Sequence, residues 1–404
     1  MRSAGSPTIV VAHRIPASVT PLAEWLAEVA DRVVLITSRA SAGGYASSFP
    51  EVIAVDDYSG PDEVTHHLDE LCRTRNVTRI VHGTEDDILR LARVRTRYGI
   101  AGMRETQALP YRDKALMKDA VSAAVLTPGY LLPAGPDEAV AVAAKLGWPV
   151  MVKPRLGYGS RGVVVVTSEA RLRAEVAMRP VDDVLIEEFV PGDVYHVDGF
   201  MRDGKVLVAV ISRYLNGCLA YQSGEPLGSV QVDADDPAAG TSQSFAAAAV
   251  AALPPTELTP FHLEIFAHAT TGELYFCEIA ARLGGAHVYE TLTPAIGVDP
   301  VRLWFRNQVG LVEQPQFHRS RHRYGWLLIP PQVGTLETIA DLPLPEGVVL
   351  YRTNVKPPQT FDGAHASTDA VVSFVVMGES SQHVEHRVRS CIDWAANALR
   401  WTRS

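Results

Sequence analysis

The sequence predicts a mixed architecture of α/β and α+β regions, divided into two or three lobes with a cleft between them. Its 404 residues exceed what one hydrophobic core normally organises. The N-terminal quarter alternates apolar β-branched runs with helical patterns, which is typical of βαβ units with a parallel sheet. From about Gln107 the pattern changes to paired strands, glycine-rich turns and separate helices, which indicates an α+β region.

Composition and charge exclude several classes of protein. Hydrophobic residues make up 47% of the chain and no repeat is present, as in an ordinary globular protein. A formal net charge of −9 argues against a nucleic-acid surface, so small molecules are the expected partners. The four cysteines lack a C-x-x-C pair, which predicts neither disulfides nor a zinc site and fits a reducing cytoplasm. The apolar runs are too short for a signal peptide or a membrane span, so we expect a soluble, unprocessed chain.

The N-terminal region, residues 1–108, is predicted to be a small α/β lobe. Its strands follow the runs TIVVA, RVVLIT, EVIAV and TRIVHG, and helices are expected from about Pro21 and Pro61. No glycine-rich turn follows the first strand, so a nucleotide site within this lobe is not supported.

A glycine loop begins the central region. It lies in the stretch Val150–Ser168, VMVKPRLGYGSRGVVVVTS, and has the spacing G-x-G-x-x-G. A dinucleotide site of the Rossmann type needs a helix after the glycines, whereas four consecutive valines here favour a strand. The loop is therefore predicted to join two strands. Its backbone N–H groups, with the ammonium groups of Lys114 and Lys153, form a candidate phosphate site, and a flexible hairpin with ordinary surface lysines is the alternative.

The later elements follow from turn and cap residues. Helices are expected over Tyr111–Ala124 and Glu169–Met178, and Asp203–Gly204 predicts a type I′ hairpin between two strands. The stretch Gly217–Gly240 is rich in glycine, serine, aspartate and proline, and is predicted to be an active-site or substrate loop. The last ninety or so residues are predicted to form a subdomain that ends with a helix over Ser381–Arg400.

Two acidic residues lie inside apolar strands. Glu264 in FHLEIF and Glu278 in FCEIAAR occupy positions where an uncompensated carboxylate is expensive. Two carboxylates from adjacent strands, completed by phosphate oxygens and water, form a common Mg²⁺ site. A solvent-facing strand position is the alternative for each acid alone. Together with the glycine loop and the two lysines, the acids favour a metal site, and Arg282 follows Glu278 on the same face.

Four motifs, in this order, resemble the ATP-grasp superfamily and within it the carboxylate–amine ligase branch, which includes the L-amino acid ligases that make dipeptides. The motifs are DKALMKDA, MVKPRLGYGSRGVVVV, LIEEFVPG and FHLEIF…FCEIAARLGG. The resemblance covers nearly the whole chain. It implies an ATP-grasp core over residues 109–310, with a small lid subdomain at about 125–190 and a large subdomain at about 191–310. A small α/β lobe at residues 1–108 precedes this core, and a C-terminal subdomain at residues 311–404 follows it.

The resemblance implies that residues around the glycine loop bind ATP. Lys114 and Lys153 contact its α- and β-phosphates, and Lys153 also takes part in catalysis. The flap that covers the β- and γ-phosphates consists of Gly157, Gly159, Ser160, Arg161 and Gly162. The adenine contacts are Glu187, Glu188, Phe189 and Val190. Because Val194 stands where the family often has a ribose-binding carboxylate, Asp193 or His196 is expected to serve instead.

The resemblance also implies a metal site and a cationic catalytic residue. Glu264 and Glu278 bind Mg²⁺, and Arg282 steadies the transferring phosphoryl group and the acyl-phosphate oxygens. The family usually has Asn two residues after the second glutamate, whereas this chain has Ala280. Water or the other acids are therefore expected to complete the metal shell, or one of two metal sites is weaker.

The implied reaction joins a carboxylate to an amine at the expense of ATP, through an acyl phosphate. The substrates are small molecules, either amino acids or a specialised-metabolite carboxylate as in antibiotic biosynthesis, and candidates for their contacts are Glu225, His287, Tyr289 and Glu290. We expect a cytoplasmic enzyme without nucleic-acid or membrane partners, and the resemblance allows a homodimer. Two alternatives stay open: a ligase that loads a carrier-protein thiol, and a nucleotide-binding regulatory module. A kinase fits poorly, because Lys153 precedes the glycine loop instead of following it.

Overall fold

The structure is a computed structural model that describes residues 6–402. Its N-terminal lobe contains a parallel four-stranded sheet. Its elements are β1 (Thr8–Ala12), α1 (Leu22–Trp25), β2 (Val33–Ser38), α2 (Arg39–Tyr45), β3 (Glu51–Val55), α3 (Glu63–Thr74), β4 (Val77–His82), α4 (Glu85–Tyr98) and α5 (Glu105–Ala108). The strand order is β3-β2-β1-β4. Alternate residues of β1 join two separate apolar cores, so the sheet is buried on both faces, as expected for parallel strands.

A small antiparallel sheet and two helices form the next unit, the lid. The elements from the start of the central region to this sheet's last strand are α6 (Lys114–Val121), β5 (Tyr130–Leu131), α7 (Pro136–Leu146), β6 (Val150–Pro154), β7 (Val164–Val166), α8 (Glu169–Ala177) and β8 (Val184–Glu188). The strand order is β5-β8-β6-β7. Since β6 and β7 pair antiparallel, with Val150 opposite Val166, the glycine loop joins strand to strand as the valine run predicts.

A large sheet of eight strands carries the rest of the core. The remaining elements are β9 (Gly192–Arg202), β10 (Lys205–Leu215), β11 (Leu227–Gln231), α9 (Pro237–Ala252), β12 (Thr259–His268), β13 (Leu274–Ala280), α10 (Val288–Ile296), α11 (Pro300–Gln308), β14 (Arg323–Ile329), β15 (Val333–Ile339), β16 (Val348–Thr353), β17 (Gln359–Asp362), β18 (Val372–Gly378), α12 (Ser381–Ala398) and β19 (Leu399–Thr402). The strand order is β13-β12-β9-β10-β11-β14-β18-β16, with a separate sheet β17-β15-β19. The large sheet therefore runs across the expected boundary at residue 310. Among the described residues, no helix is both long and apolar enough to cross a membrane.

Two turn predictions have different outcomes. Asp203 and Gly204 have φ angles of 51° and 72°, which confirms the type I′ hairpin between β9 and β10. The prediction of a loop over Gly217–Gly240 is wrong in its second half, which contains β11 and the start of α9. The run LGSVQ has little intrinsic strand preference, and β11 is fixed by pairing with β10 on one side and β14 on the other.

The start of α6 offers a test of how this helix is held in place. The Asp113 carboxylate accepts hydrogen bonds from the backbone N–H groups of Ala115 and Leu116, at 3.0 and 3.3 Å, and pairs with Arg155. We expect Asp113→Ala to lower the free energy of unfolding by about 1–2 kcal/mol, because the helix loses its N-cap. Urea unfolding followed by circular dichroism measures the change. Asp137→Ala, which removes a side chain that is 96% exposed in the first turn of α7, should stay within about 0.5 kcal/mol of the wild type.

Candidate active site

A cavity of about 260 Å³ opens between the lid sheet and the edge of the large sheet. Many of its lining residues are candidates from the sequence: Lys114, Lys153, Gly157, Ser160, Arg161, Glu188, Phe189, Val190, Glu264 and Glu278. Apolar side chains, among them Met151, Val194 and Phe266, complete the wall. The fold thus brings the lysines, the glycine loop and both strand glutamates to one enclosed space.

A buried ion-pair triad lies beside this cavity. The Glu187 carboxylate accepts from Lys153 Nζ and lies 2.8 Å from Lys118 Nζ, and neither Glu187 nor Lys118 is exposed to solvent. Burial raises the pKa of Glu187, but the two ammonium groups outweigh it and hold the pKa below its usual value. Glu187, which was expected to contact the adenine, does not line the cavity. Both of its oxygens are already bound by lysines.

Lys118 is a site residue that the sequence analysis did not select. It stands four residues after Lys114 and so lies on the same face of α6, one turn later. This spacing was the available signal. Lys114 itself donates from Nζ to the Gly157 carbonyl at 2.5 Å and lies 3.2 Å from Glu278 Oε2, so it links the glycine loop to one of the strand acids.

The glycine loop is held over the cavity by its backbone. Gly159 and Gly162 have positive φ angles, of 64° and 69°, which favour glycine, and Ser160 between them also has a positive φ of 56°. Tyr221 donates to the Ser160 carbonyl at 3.1 Å, and Gln222 donates to the Val163 carbonyl at 2.9 Å. The first half of the expected substrate loop therefore closes against the glycine loop.

The two strand acids face each other. Glu264 in β12 and Glu278 in β13 are direct partners in the antiparallel register. Burial opposes the charge on Glu264, but hydrogen bonds from His262 and Tyr214 outweigh it and lower its pKa to about 2. Glu264 is therefore a carboxylate at neutral pH. Two opposed carboxylates on the wall of a cavity suit a hard divalent cation, so the residues fit the Mg²⁺ that the resemblance implies.

Two of the cysteines also line the cavity. The sulfur atoms of Cys218 and Cys277 lie 3.6 and 3.8 Å from Glu264 oxygens, where the thiols donate weak hydrogen bonds. Burial and the neighbouring carboxylates raise the pKa of Cys218, and burial raises that of Cys277 despite nearby Lys153. Both are therefore neutral thiols and not nucleophiles.

Arg282 is held by the N-terminal lobe. Its Nε donates to the carboxylate of Glu85, the first residue of α4, and its Nη1 donates to the Leu283 carbonyl at 2.6 Å. Glu85 also binds Arg112, and these two arginines outweigh the effect of burial and lower its pKa. Arg282 does not itself line the 260 Å³ cavity. Glu85 went unselected because nothing local in its sequence indicates a partner 197 positions away.

The candidate ribose ligands do not face the cavity. Asp193 is exposed, and His196 is buried with hydrogen bonds to Asp198 and to Ser229, whereas Val194 forms the cavity wall. Neither Asp193 nor His196, the two expected replacements for the missing carboxylate, lines the cavity. Asp193 points to the opposite side of β9 from Val194, and the ring nitrogens of His196 are occupied.

The candidate substrate contacts also lie elsewhere. His287 packs against Glu290, which pairs with Arg352 at 2.8 Å, and Tyr289 donates to Asp299 at 2.9 Å. These side chains stabilise the segment after the Gly284–Gly285 turn. Glu225 is exposed. None of the four expected residues lines the cavity.

The cavity lysines can be tested by nucleotide binding. We expect Lys114→Ala and Lys153→Ala each to weaken binding of a non-hydrolysable ATP analogue by at least about tenfold, because each removes a charged donor to phosphate. Isothermal titration calorimetry measures the affinity. Lys145→Ala, on the exposed side of α7, is the matched control and should bind like the wild type. Unchanged affinity in both cavity variants would contradict the phosphate assignment.

Comparisons with known proteins identify similar sequences and folds. Residues 113–197 match the family model described as the ATP-binding domain of the carbamoyl-phosphate synthase L chain. The chain is 27% identical, over 326 residues, to the L-arginine-specific L-amino acid ligase of Bacillus subtilis, and the match covers 77% of this chain and 76% of that protein.

Solved structures are similar over nearly the full length. An L-amino acid ligase from Bacillus licheniformis superposes with a TM-score of 0.76 at 17% identity, covering 98% of this chain and 99% of its own. The biotin carboxylase domain of the Hydrogenobacter thermophilus 2-oxoglutarate carboxylase, in complex with MgADP, ADP and bicarbonate, gives 0.69 at 17% identity, with coverage of 98% and 90%. The chain therefore has the ATP-grasp fold, and it is similar in sequence to an L-amino acid ligase.

Proposed function

We propose that this protein is an ATP-dependent ligase that joins a carboxylate to an amine through an acyl phosphate. The observation that carries the proposal is the single cavity on which Lys114, Lys153, the glycine loop and the pair Glu264 and Glu278 converge. Transfer of a phosphoryl group requires positioning and positive charge at the non-bridging oxygens more than covalent chemistry from the protein. The cavity supplies these two requirements, and its thiols are neutral.

The chemistry follows from the leaving group. An amine does not displace oxide from a carboxylate, but it displaces phosphate from an acyl phosphate. Lys114 and Lys153 present ammonium groups to the phosphates, and the glycine loop offers N–H groups from above. Mg²⁺ held by Glu264 and Glu278 would neutralise charge on the phosphate oxygens. After attack by the amine, the products are the amide, ADP and phosphate.

Arg282 is assigned to the oxyanion of the second step. Its guanidinium is fixed by Glu85 and by the Leu283 carbonyl, so its donors are oriented before the substrates bind. A preorganised donor stabilises charge that develops in the transition state without further reorganisation. Because Glu85 belongs to the N-terminal lobe, that lobe helps to build the catalytic centre.

The names of similar proteins and the cavity wall support a substrate class and an adenine site. Two of the similar proteins are named L-amino acid ligases, which supports amino acids as substrates, and a specialised-metabolite carboxylate of antibiotic biosynthesis is the other candidate. We place the adenine against Glu188, Phe189 and Val190, which line the cavity. We also propose that the enzyme uses Mg²⁺, lies in the cytoplasm and forms a homodimer. The proposed division is into residues 1–108, 109–310 and 311–404, with three strands of the last part, β14, β16 and β18, completing the large sheet.

The products distinguish the proposed reaction from its rivals. We expect ADP and phosphate, and not AMP and pyrophosphate, when amino acid pairs and other carboxylates are screened with Mg²⁺ and ATP. Carboxylate labelled with ¹⁸O should pass one labelled oxygen to the released phosphate, because that oxygen bridges carbon and phosphorus in the intermediate. Mass spectrometry of the phosphate measures the transfer.

Each other outcome has a defined meaning. AMP as a product, or phosphate without label, overturns the acyl-phosphate mechanism. ATP binding without turnover on any carboxylate favours the regulatory module. Turnover that requires a carrier-protein thiol in place of an amine favours the thiol-loading ligase.

Arg282 provides a second test of the mechanism. We expect Arg282→Met to lower kcat by about 10² or more while the affinity for ATP changes little, because its charge acts mainly on the developing oxyanion. Steady-state kinetics and calorimetry measure the two quantities. Arg112→Met is the matched control, since Arg112 binds the same Glu85 carboxylate. Equal losses of kcat in both variants would show that these arginines only hold the lobes together.

A further inference from the structure

His262 stands between a buried carboxylate and a strand acid of the candidate metal site. Its Nδ1 lies 2.8 Å from Asp198 Oδ1, and its Nε2 lies 3.6 Å from Glu264 Oε1. The side chains of Asp198 and His262 are only 4% and 9% exposed. One ring nitrogen is therefore fixed by a carboxylate, while the other is directed at Glu264.

The strand register places His262 opposite Ala280. His262 in β12 pairs directly with Ala280 in β13, and two residues further on Glu264 pairs directly with Glu278. Residues two apart on a strand share a face. Ala280 occupies the position where ATP-grasp enzymes usually have an asparagine ligand, so the imidazole lies directly across from the missing side chain.

We infer that His262 supplies a nitrogen ligand to the divalent metal held by Glu264 and Glu278, replacing the asparagine absent at position 280. The inference rests on the proposed function, because it concerns the same metal site. A histidine that binds a metal usually donates its other ring N–H to a carboxylate, which sets the tautomer and the ring orientation. Asp198 makes this contact with His262.

Charge and distance are compatible with ligation. The imidazole of His262 lies between the carboxylates of Asp198 and Glu264, and these negative surroundings attract a divalent cation. Two neighbouring ligands of an octahedral ion lie about 3 Å apart, so Nε2 and Glu264 Oε1 need to approach by less than about 1 Å.

The chain leaves room for this pair of side chains. Gly284 packs against it, and a Cβ atom there would lie 2.7 Å from Asp198 Oδ1 and 2.8 Å from His262 Nδ1. Any larger residue at position 284 would push the imidazole or its carboxylate away. Gly284, in the Gly284–Gly285 turn, therefore leaves the space that the imidazole of His262 and the carboxylate of Asp198 occupy.

A second imidazole in the same network provides a matched comparison. His196 Nδ1 binds the other oxygen of Asp198, and its Nε2 lies 2.7 Å from Ser229 Oγ. His196, Asp198 and His262 have ligand atoms within 4.8 Å of one another, but hydrogen bonds already satisfy this group. Of these two imidazoles, only that of His262 directs its second ring nitrogen at a cavity acid, Glu264, so only His262 is assigned to the metal.

The test uses Mn²⁺ as the probe, with ADP, and pulsed electron paramagnetic resonance. We expect coupling of the Mn²⁺ electron spin to one imidazole ¹⁴N in the intact protein, and its conversion to ¹⁵N coupling when the histidines are labelled with ¹⁵N. His262→Asn should abolish this coupling and His196→Asn should keep it. By calorimetry, His262→Asn should also lower Mn²⁺ affinity at least about tenfold, and Mg²⁺ affinity much less, since an imidazole favours Mn²⁺ over Mg²⁺.

The outcomes separate this inference from the proposed function. Bound Mn²⁺ without histidine coupling overturns the ligand assignment and leaves the ligase proposal intact. Mn²⁺ that fails to bind in the presence of ADP contradicts the metal site and with it the proposed reaction. If His262→Asn does not fold, because Asp198 loses a buried partner, the ¹⁵N coupling of the unaltered protein and its persistence in His196→Asn still decide, and loss of the coupling in His196→Asn overturns the assignment to His262.

Discussion

The active site depends on one carboxylate that no solvent reaches. Glu187 binds Lys118 from α6 and Lys153 from β6, and so ties three elements of the core and lid together. Removing one member of a buried ion pair typically costs about 3–5 kcal/mol, because the remaining charge is left without a partner. The triad fixes Lys153 in the cavity wall and sets the position of α6, whose first residue is Lys114. The positions of the two cavity lysines, Lys114 and Lys153, are thus fixed by a buried ion-pair triad whose carboxylate, Glu187, lies outside the cavity.

The functional cations share this mode of support. Each is paired with a carboxylate: Lys114 with Glu278, Lys153 with Glu187, and Arg282 with Glu85. The carboxylates of these pairs differ in their exposure to solvent. Glu187 has no exposed surface and remains with its lysines, whereas Glu278 is 30% exposed and lines the cavity. In the proposed function, a metal ion held by Glu278 would release Lys114 to bind phosphate, so metal and nucleotide binding would favour each other.

Sequence reasoning succeeded where a local pattern fixes a local conformation. The valines after the glycine loop and the Asp203–Gly204 turn determine strands and a hairpin whatever surrounds them. It failed where a partner distant in sequence decides. In the sequence, Glu187 resembles any polar residue at the end of a strand. Its two lysine partners become visible only in the folded structure. Glu85 likewise requires the placement of one lobe on another, and β11 requires two neighbouring strands.

The exchange at position 280 illustrates the same limit. From the sequence alone, Ala280 indicates that a metal ligand has been lost, which argues against an active enzyme. In the antiparallel register its neighbour is His262, eighteen residues earlier, which carries an imidazole already oriented by Asp198. A ligand can therefore move across a pair of strands without leaving the site, because cross-strand partners lie about 5 Å apart. A departure from a family motif is evidence against activity only after the residue opposite it on the neighbouring strand has been considered.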